Sequence, residues 1–91
     1  MTVVVHVYPA LATALGSPEF RLEFGENAVA WTQVESAICN RLLESTELPL
    51  CPDGHLSYPI VALVNNKVVS KTNVTLWDGD AVQLLYALAG G

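Results

Sequence analysis

The stretch that decides the fold is Leu76-Trp77-Asp78-Gly79-Asp80-Ala81-Val82-Gln83-Leu84-Leu85-Tyr86-Ala87-Leu88-Ala89-Gly90-Gly91. Asp78-Gly79-Asp80 carries turn residues. Ala81 to Leu88 then reads as an apolar strand, with Val82, Leu84 and Tyr86 on one face and Gln83 and Leu85 on the other. The strand runs straight into two glycines. Within a regular element glycine costs roughly 0.5–1 kcal/mol relative to alanine, so the last residues, about 87–91, are expected to form a loose tail. Without Cβ atoms such a tail can lie extended in a channel too narrow for other residues. It would deliver the α-carboxylate of Gly91 to another protein's active site, whereas the bland alternative is a frayed terminus.

Upstream, Tyr58-Pro59-Ile60-Val61-Ala62-Leu63-Val64 is nearly apolar throughout, as expected for a strand covered on much of both faces. Asn65-Asn66-Lys67 supplies residues that tolerate positive φ, and Val68-Val69 resumes extended structure. Between Ser45 and Ser57 the periodicity lapses, and Pro49, Pro52, Asp53 and Gly54 mark a long loop, read as an insertion. Before it, Val34, Ile38 and Leu42 recur every four residues, with Trp31 and Cys39 near the same side. That period predicts an amphipathic helix over about 32–45. Thr32-Gln33-Val34-Glu35 fits a capping box, in which Glu35 reaches back to the Thr32 amide.

The first half of the chain carries two strand signals. Thr2 to Tyr8 is rich in β-branched residues, with Val3, Val5 and Val7 on the expected core face and Val4, His6 and Tyr8 on the other. Glu19-Phe20-Arg21-Leu22-Glu23-Phe24 alternates strictly, which predicts a half-buried strand paired antiparallel with the first. Pro9 ends the first strand, and a short helical turn is expected around Leu11 and Leu15. The order is therefore strand, strand, helix, strand, short strand, strand. It packs most simply as one mixed sheet of four to five strands with one main helix across one face. A right-handed crossover then sets the first and last strands side by side in the middle. This is the α+β architecture known as the β-grasp, and residues 1–91 are read as a single such domain.

Composition narrows the function. With 52% hydrophobic and 14% charged residues the chain should fold on its own. Four basic against nine acidic residues give a net charge of -5, which offers no grip on nucleic acid or an anionic membrane. An acidic domain is instead steered towards a basic surface on a protein partner. No transmembrane run or signal peptide is evident, so a cytoplasmic location is expected. Cys39 and Cys51 stand at no metal or redox-motif spacing and are expected to be reduced thiols, Cys39 in the core and Cys51 in a loop. His6 is read as a lone histidine on the less buried sheet face and His55 as a solvated loop residue. Asp78 and Asp80 are read as turn-formers, not metal ligands. No nucleophile with a placed base and no phosphate loop is present, so an enzyme with its own active site is not expected.

The combination of Val61-Ala62-Leu63-Val64-Asn65-Asn66-Lys67-Val68-Val69, Leu76-Trp77-Asp78-Gly79-Asp80-Ala81-Val82-Gln83-Leu84-Leu85 and the closing Leu88-Ala89-Gly90-Gly91 resembles the ubiquitin-like sulfur carriers. Within them it is most similar to the small subunit of molybdopterin synthase. The resemblance implies a β-grasp domain that binds no cofactor. A ubiquitin-activating-type adenylyltransferase uses ATP to adenylate Gly91, and sulfur from a cysteine-derived persulfide leaves a terminal thiocarboxylate. That sulfur is then donated to a pterin inside the large subunit of molybdopterin synthase, in a heterotetramer. Carried over by position, Gly91 bears the sulfur, Gly90 and Ala89 thread the partner's channel, Leu88 anchors the tail at its mouth, and Leu85 is an outward apolar residue in partner contact. Family members commonly have prolines where this chain has Tyr86-Ala87, and the loop from Leu48 to Ser57 is atypical.

Two further readings use the same chain. As a ubiquitin-like modifier, it would transfer activated Gly91 to a lysine amine. As a plain β-grasp interaction module, it would function without Gly90 and Gly91. Among carriers, the acceptor could also belong to thiamin, cysteine or tRNA chemistry.

Overall fold

The computed structural model describes residues 1–45, 51, 55–56, 60–68 and 74–86. Its elements are β1 (Thr2–Val7), α1 (Pro9–Leu15), β2 (Glu19–Glu23), β3 (Ala28–Ala30), α2 (Trp31–Ser45), β4 (Ile60–Val64), β5 (Lys67–Val68), β6 (Thr75–Trp77) and β7 (Ala81–Tyr86). Five strands form a mixed sheet in the order β2-β1-β7-β4-β5. β1 pairs antiparallel with β2 and parallel with β7, and β7 pairs antiparallel with β4. The first and last strands thus lie side by side at the centre, as the crossover argument requires.

Register sets one row of the core. Phe20, Val5, Val82 and Val64 oppose one another across four neighbouring strands. All four are buried and share a core with Trp31, Val34, Ile38, Cys39 and Leu42 of α2. Those helical positions follow the i, i+3, i+4, i+7 spacing that places side chains on one stripe. Burying each aliphatic side chain contributes roughly 1.5–3 kcal/mol, so this stripe is what holds the helix on the sheet.

The helix starts one residue earlier than expected, and its N-terminal contacts differ from the capping box. The Gln33 side chain accepts from the Ala30 amide at 3.2 Å, while both Glu35 oxygens are taken up by the segment at 55–56. The box is displaced because Trp31 docks into the core and its amide donates to the Val74 carbonyl at 2.7 Å.

The turn foreseen near Leu11 is a full short helix, α1, with Pro9 in its first turn, where a missing N–H costs nothing. It ends at Gly16 in the left-handed region, φ +81°, whose amide donates to the Ala12 carbonyl at 2.8 Å. A small second sheet, β3 with β6, was not legible in three-residue runs; it brings Val29 opposite Leu76, both buried. Asn65 and Asn66 take positive φ values of 50° and 70° between β4 and β5, as expected for that turn. Tyr58, Pro59 and Val69, which the sequence reading included in strands, lie outside the described residues.

The cysteines need a correction. Cys39 and Cys51 are joined in a disulfide, with Cα atoms 5.8 Å apart, and are not free thiols. Cys39 is in the core as expected, but Cys51 is buried too. The chain folds back after α2, and that return brings together two residues whose spacing carries no motif. Among the described residues, no helix is long and apolar enough to cross a membrane.

Candidate functional site

Of the residues expected to do the work, Leu85 is described, whereas Leu88, Ala89, Gly90 and Gly91 lie outside the described residues.

β7 is held firmly at its start. Asp80 Oδ2 accepts from the Trp77 amide at 2.8 Å, and the Asp80 amide donates to the Trp77 carbonyl at 3.0 Å. Asp78 Oδ1 accepts from the Thr2 amide at 2.7 Å, and the Gly79 amide donates to the Thr2 carbonyl at 3.0 Å. Asn65 Nδ2 reaches Asp80 Oδ1 at 3.3 Å. The two aspartates thus bolt the turn to β1 and to the β4–β5 turn, which is the turn-forming role read from the sequence. No group of three metal-ligating residues is found among the described residues.

Further along, the two sides of β7 part company. On the β1 side the ladder ends at the pair Val7 and Leu84, because Tyr8 turns the chain into α1. On the β4 side it continues through Val61 opposite Leu85 and Ile60 opposite Tyr86. Beyond Leu84 the Tyr8 ring takes over: it meets the Tyr86 ring at a centroid distance of 5.4 Å and an angle of 49°. Partial burial, and then the neighbouring Tyr86, push the Tyr8 phenol above its ordinary pKa.

Alternation decides which side chains of β7 face the core and which face outward. Leu84 faces the core and is 1% exposed, whereas Leu85 points from the opposite face and is 44% exposed. Leu85 is opposite Val61 on that face; the next row holds His6, Gln83, Leu63 and Val68. Val68 is 58% exposed, so the face combines apolar side chains with an exposed histidine and glutamine. His6 sits on the exposed face as expected.

Sequence reasoning missed Tyr8 and the role of Glu35. His55 Nδ1 lies 2.9 Å from Glu35 Oε1, and the Leu56 amide donates to Glu35 Oε2 at 3.1 Å. His55 is exposed, as read, but it is paired. Glu35 and Cys39, one helical turn apart on α2, therefore hold Cys51, His55 and Leu56 against the helix. The i, i+4 spacing of Glu35 and Cys39, matched by that of Cys51 and His55, is the signal that could have shown it.

No protein-family model and no curated protein matches the sequence. Solved structures do. The small archaeal modifier protein 1 (SAMP1) of Haloferax volcanii superposes over 100% of both chains with a TM-score of 0.78 at 19% identity. A candidate molybdopterin converting factor subunit 1 from Pyrococcus furiosus matches with a TM-score of 0.67 at 20% identity, over 97% of this chain and 99% of its own. Subunit 1 or 2 in the molybdopterin-converting factor complex of Helicobacter pylori matches with a TM-score of 0.52 at 18% identity over 100% of both chains. The chain has the β-grasp fold. Its fold is the one found in small archaeal modifier protein 1 and in structures of the molybdopterin converting factor.

Proposed function

We propose that this β-grasp protein is a sulfur carrier whose Gly91 is converted to a thiocarboxylate, serving as the small subunit of a molybdopterin synthase. The observation that carries the reading is the placement of β7. It is the central strand, it is anchored at its start by Asp78 and Asp80, and it leads directly into Ala87-Leu88-Ala89-Gly90-Gly91 with Leu85 on the open face. The likeness to a complex of molybdopterin-converting factor subunits 1 and 2 supports a large-subunit partner.

The chemistry runs in balanced steps on partner enzymes. A Gly91 carboxylate oxygen attacks the α-phosphorus of ATP on a ubiquitin-activating-type adenylyltransferase, and pyrophosphate leaves. The terminal sulfur of a donor persulfide then attacks the acyl carbon and AMP leaves. A second thiol cleaves the resulting acyl disulfide, taking one sulfur into a disulfide and freeing the thiocarboxylate. Activation is needed because a carboxylate is a poor acyl electrophile and the adenylate provides a leaving group. In this reading Leu88, Ala89 and Gly90 occupy the channel of the large subunit, Leu85 docks beside it, and the domain itself binds no cofactor.

The likeness to small archaeal modifier protein 1 favours a second reading, in which the same adenylate is transferred to a lysine amine. Intact mass after incubation with ATP, a persulfide donor and the host's activating enzyme tests both. The expected result is the mass gain of one oxygen replaced by sulfur, absent from a variant lacking Gly91. Conjugates on other proteins without that gain would favour the modifier, and no change with a known carrier active in the same assay would reject both.

A further inference from the structure

We infer that Tyr8 is a positioning residue for the end of β7: its ring contact with Tyr86 replaces the strand partner that β7 loses after Leu84 and so holds Leu85 and Tyr86 in place. The consequence for Gly91 chemistry rests on the carrier reading above, but the mechanical role does not.

The ladders on the two sides of β7 are unequal. Among the described residues, the β1 side offers β7 no further strand after the pair Val7 and Leu84, and the Val7 amide itself donates to the Pro18 carbonyl on the β2 side. The β4 side adds two more pairs, ending at Ile60 and Tyr86. A strand end held along one edge can swing about that edge. Tyr8 is well placed to prevent this, because its own backbone is fixed. It is the N-cap of α1, its carbonyl accepts the Ala12 amide at 2.9 Å, and Leu11 in the same helix is fully buried. Tyr86, by contrast, ends the last strand and is 40% exposed. A separation of 5.4 Å and a tilt of 49° fall in the range where aromatic rings attract. The contact thus joins a rigid anchor to the last described residue before the proposed working segment. The phenol oxygens are not needed for it, and the rings are.

Amide hydrogen exchange on the full chain tests the mechanical role in Tyr8→Ala, Tyr8→Phe, Tyr86→Ala and Tyr86→Phe. Both alanine variants should speed exchange at Leu85 and Tyr86 by roughly two- to tenfold while Val82 and Leu84 keep wild-type rates; both phenylalanine variants should match wild type. Kinetics of adenylation by the activating enzyme supply the second readout. A loosened end of β7 adds an ordering cost on binding, so the alanine variants should raise KM by a similar factor with kcat unchanged. Unchanged exchange at Leu85 and Tyr86 in Tyr8→Ala overturns the inference. So does faster exchange that extends equally to Val82, which marks general destabilisation, or damage from Tyr8→Phe equal to that from Tyr8→Ala. If wild-type protein is not adenylated at all, the carrier reading fails while the exchange data still decide the role of Tyr8.

Discussion

Cys39 in the helix and Cys51 in the segment that follows it, twelve residues apart in sequence, are both buried and covalently joined. Closing a loop of this size removes freedom from the unfolded chain by roughly 3 kcal/mol. Reduction, or the pair Cys39→Ala and Cys51→Ala, should therefore lower stability by about that amount in urea denaturation. Thiol titration of the unreduced native protein should find neither cysteine, and a titre of two thiols would refute the bond.

Glu35 makes the second attachment of the same segment. Glu35→Ala removes the acceptor of the Leu56 amide and the partner of His55, whose own exposure leaves that half of the contact largely screened. The expected loss is about 1 kcal/mol, read by urea denaturation, with faster exchange of the Leu56 amide.

Leu84 and Leu85 are neighbours with opposite fates. Leu84→Ala should cost about 2–5 kcal/mol of stability, because it opens a cavity in the core. Leu85→Ala should change stability by less than about 0.5 kcal/mol, as surface substitutions do. Under the carrier reading it should instead weaken binding of the proposed large-subunit partner, measured by titration calorimetry. Equal binding by both proteins would remove Leu85 from the interface.

Gly79 has φ +88° and open space where a Cβ would stand, so Gly79→Ala is opposed by backbone strain alone. The expected cost is about 1–2 kcal/mol, measured as a fall in the urea midpoint with the slope unchanged. A neutral outcome would mean that the turn shifts at no cost despite its bonds to Thr2.

The raised Tyr8 pKa gives a signed pH dependence. Burial, and then the Tyr86 phenol, favour the neutral form in the native state. The native protein therefore holds more protons than the unfolded chain once pH passes the ordinary tyrosine value of about 10. This contribution to stability is complete below that pH and declines as pH rises towards the higher native value. Tyr8→Phe should flatten the decline in alkaline urea titrations, and an unchanged slope would contradict the assignment.

Much of this molecule could be read from local pattern. Strict alternation at 19–24, the four-residue recurrence of Val34, Ile38 and Leu42, and the turn residues at 65–66 and 78–80 each state a backbone period or a φ preference within a few residues. Their order then leaves one economical sheet, with β1 and β7 at its centre. The outward position of Leu85 follows from the same alternation, and the proposal for Gly91 rests on the sequence alone.

Tertiary structure decided what depends on residues far apart in the chain. β3 and β6 pair across more than forty residues through three-residue runs too short to show a period. The disulfide and the Glu35 contacts exist because the chain doubles back along α2, and the contact of Tyr8 with Tyr86 exists because β1 stops two residues short of the end of β7. A sequence states the preferences of each segment. Which side chains face each other across a gap between segments is set by packing, where the energy of a contact is known only once both partners have a place.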